Sequence, residues 1–207
     1  MKTNIDWARF IQLQPSFLYD EIFVNNEYQL IEDEVNDRVV FDVGANVGMF
    51  TAKCLTFGAK QVFAVEAQPS IFKWGLEFNM RLYPQVKTIN RAVLLNDYTE
   101  VFISNNFIAS HLDLSGEPVK TICLQTLFTE SNSEDLILKM DIEGAEYESI
   151  LTTTDEVIKR CKFIHIELHP HRFGLDSIRQ KFFNCGFYQT HSAPAGDGCY
   201  VDKWVRT

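Results

Sequence analysis

The feature that most constrains this chain is a series of short apolar runs without the polar alternation of a half-exposed strand, spaced by segments of helical periodicity. RVVFDVG, QVFAVEA, VKTIN, DLILKMD and KFIHIELH are such runs; VGMFTAKCLTF, closed by Gly58, and FKWGLEFNMRL, preceded by Pro69, lie between them. A strand apolar on both faces must be covered on both faces, and crossover helices provide the cover. The pattern predicts an α/β fold with a doubly wound, mostly parallel sheet. GAEYESILTTTDEVIKR reads as one helix. In the tail, a helix through DSIRQKFFNC stops at Gly186, and Phe187 to His191, the loop APAGDG and CYVDKWVR read as a C-terminal antiparallel hairpin. Ala92 to Leu95, Val101 to Ser104 and VKTICLQTLF are strand material or an insertion before the fourth parallel strand.

Residues 1–35 carry apolar residues at helical spacing (Trp7, Phe10, Ile11, then Phe17, Leu18, Ile22, Phe23), broken by Pro15 and ending in the acidic stretch IEDEVND. Two short helices and a solvated acidic loop are expected there. The chain thus reads as an N-terminal helical segment, 1–35, packed on a domain of residues 36–207, in one structural domain overall. No run approaches the roughly 18 apolar residues of a spanning helix, and MKTNIDWARF has no apolar core of a signal peptide, so a cytoplasmic location is expected. Five widely spaced cysteines without a C-x-x-C pair read as reduced thiols. The net charge of −9 argues against nucleic acid as a partner, because phosphate contacts need clustered basic residues.

Ligands of open parallel sheets bind beyond the carboxyl ends of the strands. The first run ends Asp42-Val43-Gly44-Ala45-Asn46-Val47-Gly48, a D-x-G-x-x-x-G spacing that lacks the G-x-G-x-x-G pyrophosphate fingerprint. S-adenosylmethionine fits better: Asp42 faces its ammonium end, Gly44 and Gly48 let the chain pass close, and Glu66 takes the ribose hydroxyls. Glu66 ends the second run, 24 residues after Asp42 and 18 after Gly48, near the offset of about 20 at which a carboxylate reaches a ribose. Asn90, ending the third run, is either a further adenosine contact or a strand-end turn residue. The most unusual string, Lys139-Met140-Asp141-Ile142-Glu143-Gly144-Ala145-Glu146, sets three carboxylates at one strand end, where they need a cation, hydrogen bonds or water. In the next run Ile164, Ile166 and Leu168 share one face, and His165, Glu167 and His169 share the other.

VFDVGANVGMFT, VFAVEAQP, KMDIEGAE and IHIELH together resemble the FkbM-type methyltransferases, class I enzymes that use S-adenosylmethionine, over about residues 38–169. The resemblance implies a Rossmann-like, seven-stranded sheet with a reversed final hairpin, and methylation of a hydroxyl on a small molecule or sugar. Carried over by position, Asp42, Gly44, Asn46, Gly48 and Glu66 are cofactor residues, joined by Asn90 and Asp141. Asp141, Glu143 and Glu146 lie near methyl transfer, with Glu143 and Glu146 on the substrate side. Candidate bases are His169, Asp141, Glu167 and His165, the last of which also reads as a core histidine; His169, before Pro170, is preferred. LQTLF stands where family members often carry a Leu-Asp pair.

No metal is expected. His165 and His169 start roughly 13 Å apart along one strand, too far to share an ion. The alternative is Mg²⁺ between Asp141 and Glu167, on neighbouring strands. Two other functions compete: a nucleotide-dependent oxidoreductase on a Rossmann-like sheet, disfavoured by the missing third glycine, and a noncatalytic cofactor-binding module. Acceptor specificity is expected in the loop from Asn105 to Gly116 and in the N-terminal segment.

Overall fold

Each apolar run becomes a strand of one seven-stranded sheet in the computed structural model, which describes residues 2–11, 16–104, 112–113, 116–171 and 173–207. The strands are β1 (Val39–Val43), β2 (Gln61–Glu66), β3 (Val86–Asn90), β4 (Leu136–Met140), β5 (Cys161–Leu168), β6 (Phe187–Gly196) and β7 (Cys199–Arg206). Their spatial order is β6-β7-β5-β4-β1-β2-β3. The first five run parallel, while β7 is antiparallel to both β5 and β6. The chain builds outward from β1 through β2 to β3, then crosses to β4 on the other side of β1. The order therefore reverses between β1 and β4, where such sheets leave a crevice.

Alternation along β1 divides the core. Val39, Phe41 and Val43 join the cluster on one face with Leu138 and Ile164; Val40 joins the other with Ile137 and Phe50. Phe41 and Phe63 stack at 4.8 Å on adjacent strands, and Phe128 closes on Phe41 at 4.7 Å. Each such buried ring contributes about 1.5–3 kcal/mol through burial. Ile5, Phe10, Ile22, Tyr28 and Leu30 of the N-terminal segment are buried in the second cluster. The five cysteines are unpaired, four of them buried.

Several local expectations are corrected. The acidic stretch is a helix, Glu32–Val35, rather than a loop, because Lys203 Nζ reaches Glu34 at 2.8 Å and neutralises its buried carboxylate. The hairpin loop is shorter than APAGDG: β6 continues to Gly196, and the turn is Asp197-Gly198, both at positive φ (46° and 81°), as a two-residue hairpin requires. Pro194 is tolerated because β6 is an edge strand. The long helix after β4 divides into Glu146–Thr152 and Asp155–Ile158, with Thr153 and Thr154 extended between them. LQTLF is a helix, Leu124–Phe128, not strand. The insertion forms a small second sheet from Ala92–Val93, Glu117–Ile122, Glu100–Ile103 and Leu112–Asp113, in that order. Residues 105–111 and 114–115 of the expected specificity loop, and Pro15, lie outside the described residues.

Candidate active site

The β1 and β4 ends meet at Gly44. Its φ is +76°, and a Cβ there would overlap the Asp141 carbonyl oxygen. Only glycine lets the two strand ends approach this closely. The contact is fixed by the Asp141 amide donating to Val43 O (3.1 Å) and by Lys139 Nζ donating to Gly44 O (2.7 Å). Asp42 is turned inward beneath this junction. It accepts from Thr51 Oγ1 at 2.6 Å and lies 3.7 Å from Lys139 Nζ; burial raises its pKa, and these two partners oppose the rise. Gly48 serves packing: a Cβ would press on Met80 Cε at 2.5 Å.

At the β2 end the two oxygens of Glu66 receive the backbone amides of Asn46 (2.9 Å) and Gln68 (2.8 Å). Burial pushes its carboxyl up to about 7 despite these donors. Asn90 donates to the carbonyls of Glu66 (2.8 Å) and Ala67 (3.0 Å), pinning the loop on which Glu66 sits.

The DIEGAE string forms a tight turn with Glu143 at φ +57° and Gly144 at φ +99°. Glu146 is fully buried inside it, and its Oε1 accepts from the Ile142 amide (2.9 Å), the Gly144 amide (3.2 Å) and His169 Nδ1 (3.0 Å). The other nitrogen of His169 lies 3.2 Å from Glu143 Oε2. Burial alone would lower the pKa of His169, but the bonds to Glu143 and Glu146 override it and raise the ring to about 11. A carboxylate at each ring nitrogen favours the imidazolium, which donates from both and has no lone pair to accept a proton. The general-base role expected of it does not fit this arrangement.

His165 is fully buried, bonded through Nδ1 to Tyr28 O at 2.6 Å, and pushed down to about 3 by burial. It is a neutral core histidine. Tyr28, which sequence reasoning did not single out, reaches the site: its hydroxyl lies 3.0 Å from Asp141 Oδ2 and 3.3 Å from Glu167 Oε2. An isolated tyrosine in a polar stretch carries no periodicity or spacing that would have found it.

Two cavities flank this junction. The larger, about 580 Å³, runs past Glu66 and Arg91 to Leu94 and His171; the smaller, about 200 Å³, lies beneath Glu21 and Tyr28 beside Glu167. Both are lined by Gly44, Asn46, Asp141 and Glu143, so these residues form the wall between them. Of the residues expected at the site, Gly44, Asn46, Glu66, Asp141, Glu143 and Glu167 face a cavity, while Asp42, Gly48, Asn90, Glu146, His165 and His169 stand behind the lining. The substrate-side position expected for Glu146 is thus replaced by a bracing one.

The Tyr28 hydroxyl occupies the place between Asp141 and Glu167 that a bridging Mg²⁺ would take, so the pair as arranged does not fit that ion. His169 also approaches Asp141 with Glu143, and Glu167 with Cys199, with ligand atoms within 4.8 Å of one another.

The chain matches the model of the methyltransferase FkbM domain over residues 42–188. Among curated proteins, none matches it. It resembles the solved structure of methyltransferase FkbM from Methylobacillus flagellatus KT (TM-score 0.58, 15% identity), covering 96% of this chain and 50% of that one. A precorrin-6y C5,15-methyltransferase from Geobacter metallireducens GS-15 superposes with a TM-score of 0.52 at 13% identity, covering 85% of each chain. A proposed RNA methyltransferase from Pyrococcus horikoshii does so at 0.53 and 16%, covering 94% of this chain and 86% of that one. At such identities these structures share the fold. No helix among the described residues is long and apolar enough to cross a membrane.

Proposed function

Because the chain belongs to the FkbM methyltransferase family, we propose that it transfers the methyl group of S-adenosylmethionine to a hydroxyl oxygen of a small molecule or sugar. The observation that carries this reading is the placement of Glu66. A buried carboxylate, oriented by two loop amides, faces the larger cavity across from Asp141. A ribose presents two adjacent hydroxyls to such a carboxylate. The residues therefore fit the cofactor, with Glu66 at the ribose, Gly44 and Asn46 along its length and Asp141 at the wall between the cavities. Asp42, Gly48 and Asn90 support the loops that make these contacts.

When bound, the cofactor supplies a methyl carbon already activated by a sulfonium. The protein's share is alignment and removal of the acceptor's proton. Asp141 faces both cavities and is the base in this reading, with Glu167 beside it. His169 and Glu146 hold the turn that presents Asp141 and Glu143, and His165 is structural. The carboxylates along this edge suit a cationic ligand and disfavour a polyphosphate one, so nucleic acid is not the preferred acceptor. A cytoplasmic setting, with its unpaired cysteines, belongs to the same proposal, as does the division into an appended segment, 1–35, and a methyltransferase domain, 36–207.

Incubation with methyl-labelled S-adenosylmethionine and a panel of sugars, polyketides and RNA tests the reading. Label in an ether product of a sugar or polyketide supports it; label confined to RNA would replace the acceptor. Cofactor binding with no transfer to any acceptor would favour the noncatalytic module.

A further inference from the structure

Tyr28 is buried with one hydroxyl between two carboxylates, Asp141 at 3.0 Å and Glu167 at 3.3 Å. A phenol has one hydrogen to donate, so both carboxylates cannot receive it. The nearer oxygen belongs to Asp141, which also has the Lys139 ammonium at 3.7 Å. With the phenol hydrogen directed at Asp141, a Glu167 that carries a proton can donate it to the phenol oxygen across the 3.3 Å contact. We propose that Tyr28 is a positioning residue that joins Glu167 and Asp141 in a single-proton chain, Glu167 donating to the phenol oxygen and the phenol donating to Asp141. This aims the Asp141 carboxylate at the acceptor and keeps it free to take a proton.

Other contacts hold the phenol in place. His165 lies under the Tyr28 carbonyl at 2.6 Å, and because a carbonyl can only accept, Nδ1 carries the hydrogen. Lys203 Nζ donates to Gln29 O at 2.8 Å, and Lys139 Nζ sits 5.5 Å over the phenol ring. The buried histidine thus acts through Tyr28. The charged groups facing the chain are Lys139 and Asp42 from the β4 and β1 ends, Glu143 and His169 from the acidic turn and β5, and Glu21 from the N-terminal helix. Burial and the neighbouring Asp141 push Glu167 up to about 7, in keeping with a proton residing there.

The inference rests on the methyl-transfer reading for what Asp141 acts upon. As the acceptor oxygen bonds the methyl carbon, the carbon–sulfur bond breaks with its electron pair left on sulfur. The acceptor's O–H proton passes to Asp141. Glu167, which lines the smaller cavity, releases its own proton there; the proton on Asp141 then passes to the phenol oxygen as the phenol proton passes to Glu167, which restores the starting arrangement.

The test is carbon-13 NMR of carboxyl-labelled Asp and Glu across pH, on wild type and Tyr28→Phe. Glu167→Gln and Asp141→Asn assign the two resonances. In wild type Glu167 is expected to titrate near 7. Tyr28→Phe removes the acceptor for protonated Glu167, so its midpoint should fall by about one unit. A Glu167 midpoint that stays put or rises in Tyr28→Phe overturns the proposal, as does a wild-type Glu167 in the ordinary carboxylate range. Should Tyr28→Phe fail to fold, Glu167→Gln carries the test, because its amide preserves the donor: at pH 6 its urea midpoint should match wild type while that of Glu167→Ala falls below it, and equal losses in the two variants refute the chain. Calorimetry with S-adenosylhomocysteine on the same wild-type sample reports on the methyl-transfer reading, so the two failures are separable.

Discussion

Replacing Gly44 by alanine tests whether the β1–β4 junction is as tight as the geometry requires. Two costs are separable. A non-glycine residue at φ +76° loses about 1–2 kcal/mol to backbone strain. The new Cβ would also overlap the Asp141 carbonyl oxygen and come within 2.8 Å of its carbon, so the strand ends must part. Parting them breaks the Asp141 amide bond to Val43 O, a loss of about 1 kcal/mol, and displaces Lys139 from Gly44 O. Gly44→Ala should therefore lose about 3 kcal/mol in urea unfolding with an unchanged m value, and should bind S-adenosylhomocysteine at least tenfold more weakly. Gly186→Ala is the control: φ is +86° there but nothing lies within 4 Å of the added Cβ, so only the strain of about 1–2 kcal/mol should appear. Equal losses in the two variants, with ligand affinity intact in Gly44→Ala, would refute the reasoning.

The carboxyl of Glu66 is raised from 4.5 to about 7, so its contribution to stability is fully present below 4.5 and lost as pH rises through about 7; Glu66→Gln should flatten denaturation profiles in that window. His169 is raised from 6.5 to about 11, so its stabilisation is present below 6.5 and fades as pH climbs towards 11; His169→Asn should lower the midpoint of thermal unfolding at pH 6 and remove the alkaline slope. Asp202 is fully buried and takes Arg179 through two bonds, 2.8 and 3.1 Å; Asp202→Asn should cost about 1.5–3 kcal/mol by urea unfolding without altering cofactor affinity.

The parallel strands and the residues at their carboxyl ends were legible because local composition dictated them. VVFDV and LILKM can only be buried strands, and Gly44, Glu66 and Asp141 fall at their ends. The shortfalls come from partners distant in sequence. IEDEVND reads as solvated until Lys203, 169 positions after Glu34, neutralises it. Tyr28 meets Asp141 and Glu167 across separations of 113 and 139 residues. His169 looked like a base because its residue type favours that role; its proton is fixed instead by Glu143 and Glu146 on a neighbouring turn. Glu146 looked like a substrate-side acid, but the backbone amides of its own turn draw it into the interior.

Isothermal calorimetry of the wild-type chain and Glu66→Ala with S-adenosylhomocysteine and with NAD tests the central claim most directly. The expected result is saturable one-to-one binding of S-adenosylhomocysteine, a loss of at least tenfold in Glu66→Ala, as for about 1.4 kcal/mol or more of lost ribose contact, and no heat from NAD. Binding of NAD with no response to S-adenosylhomocysteine would contradict it.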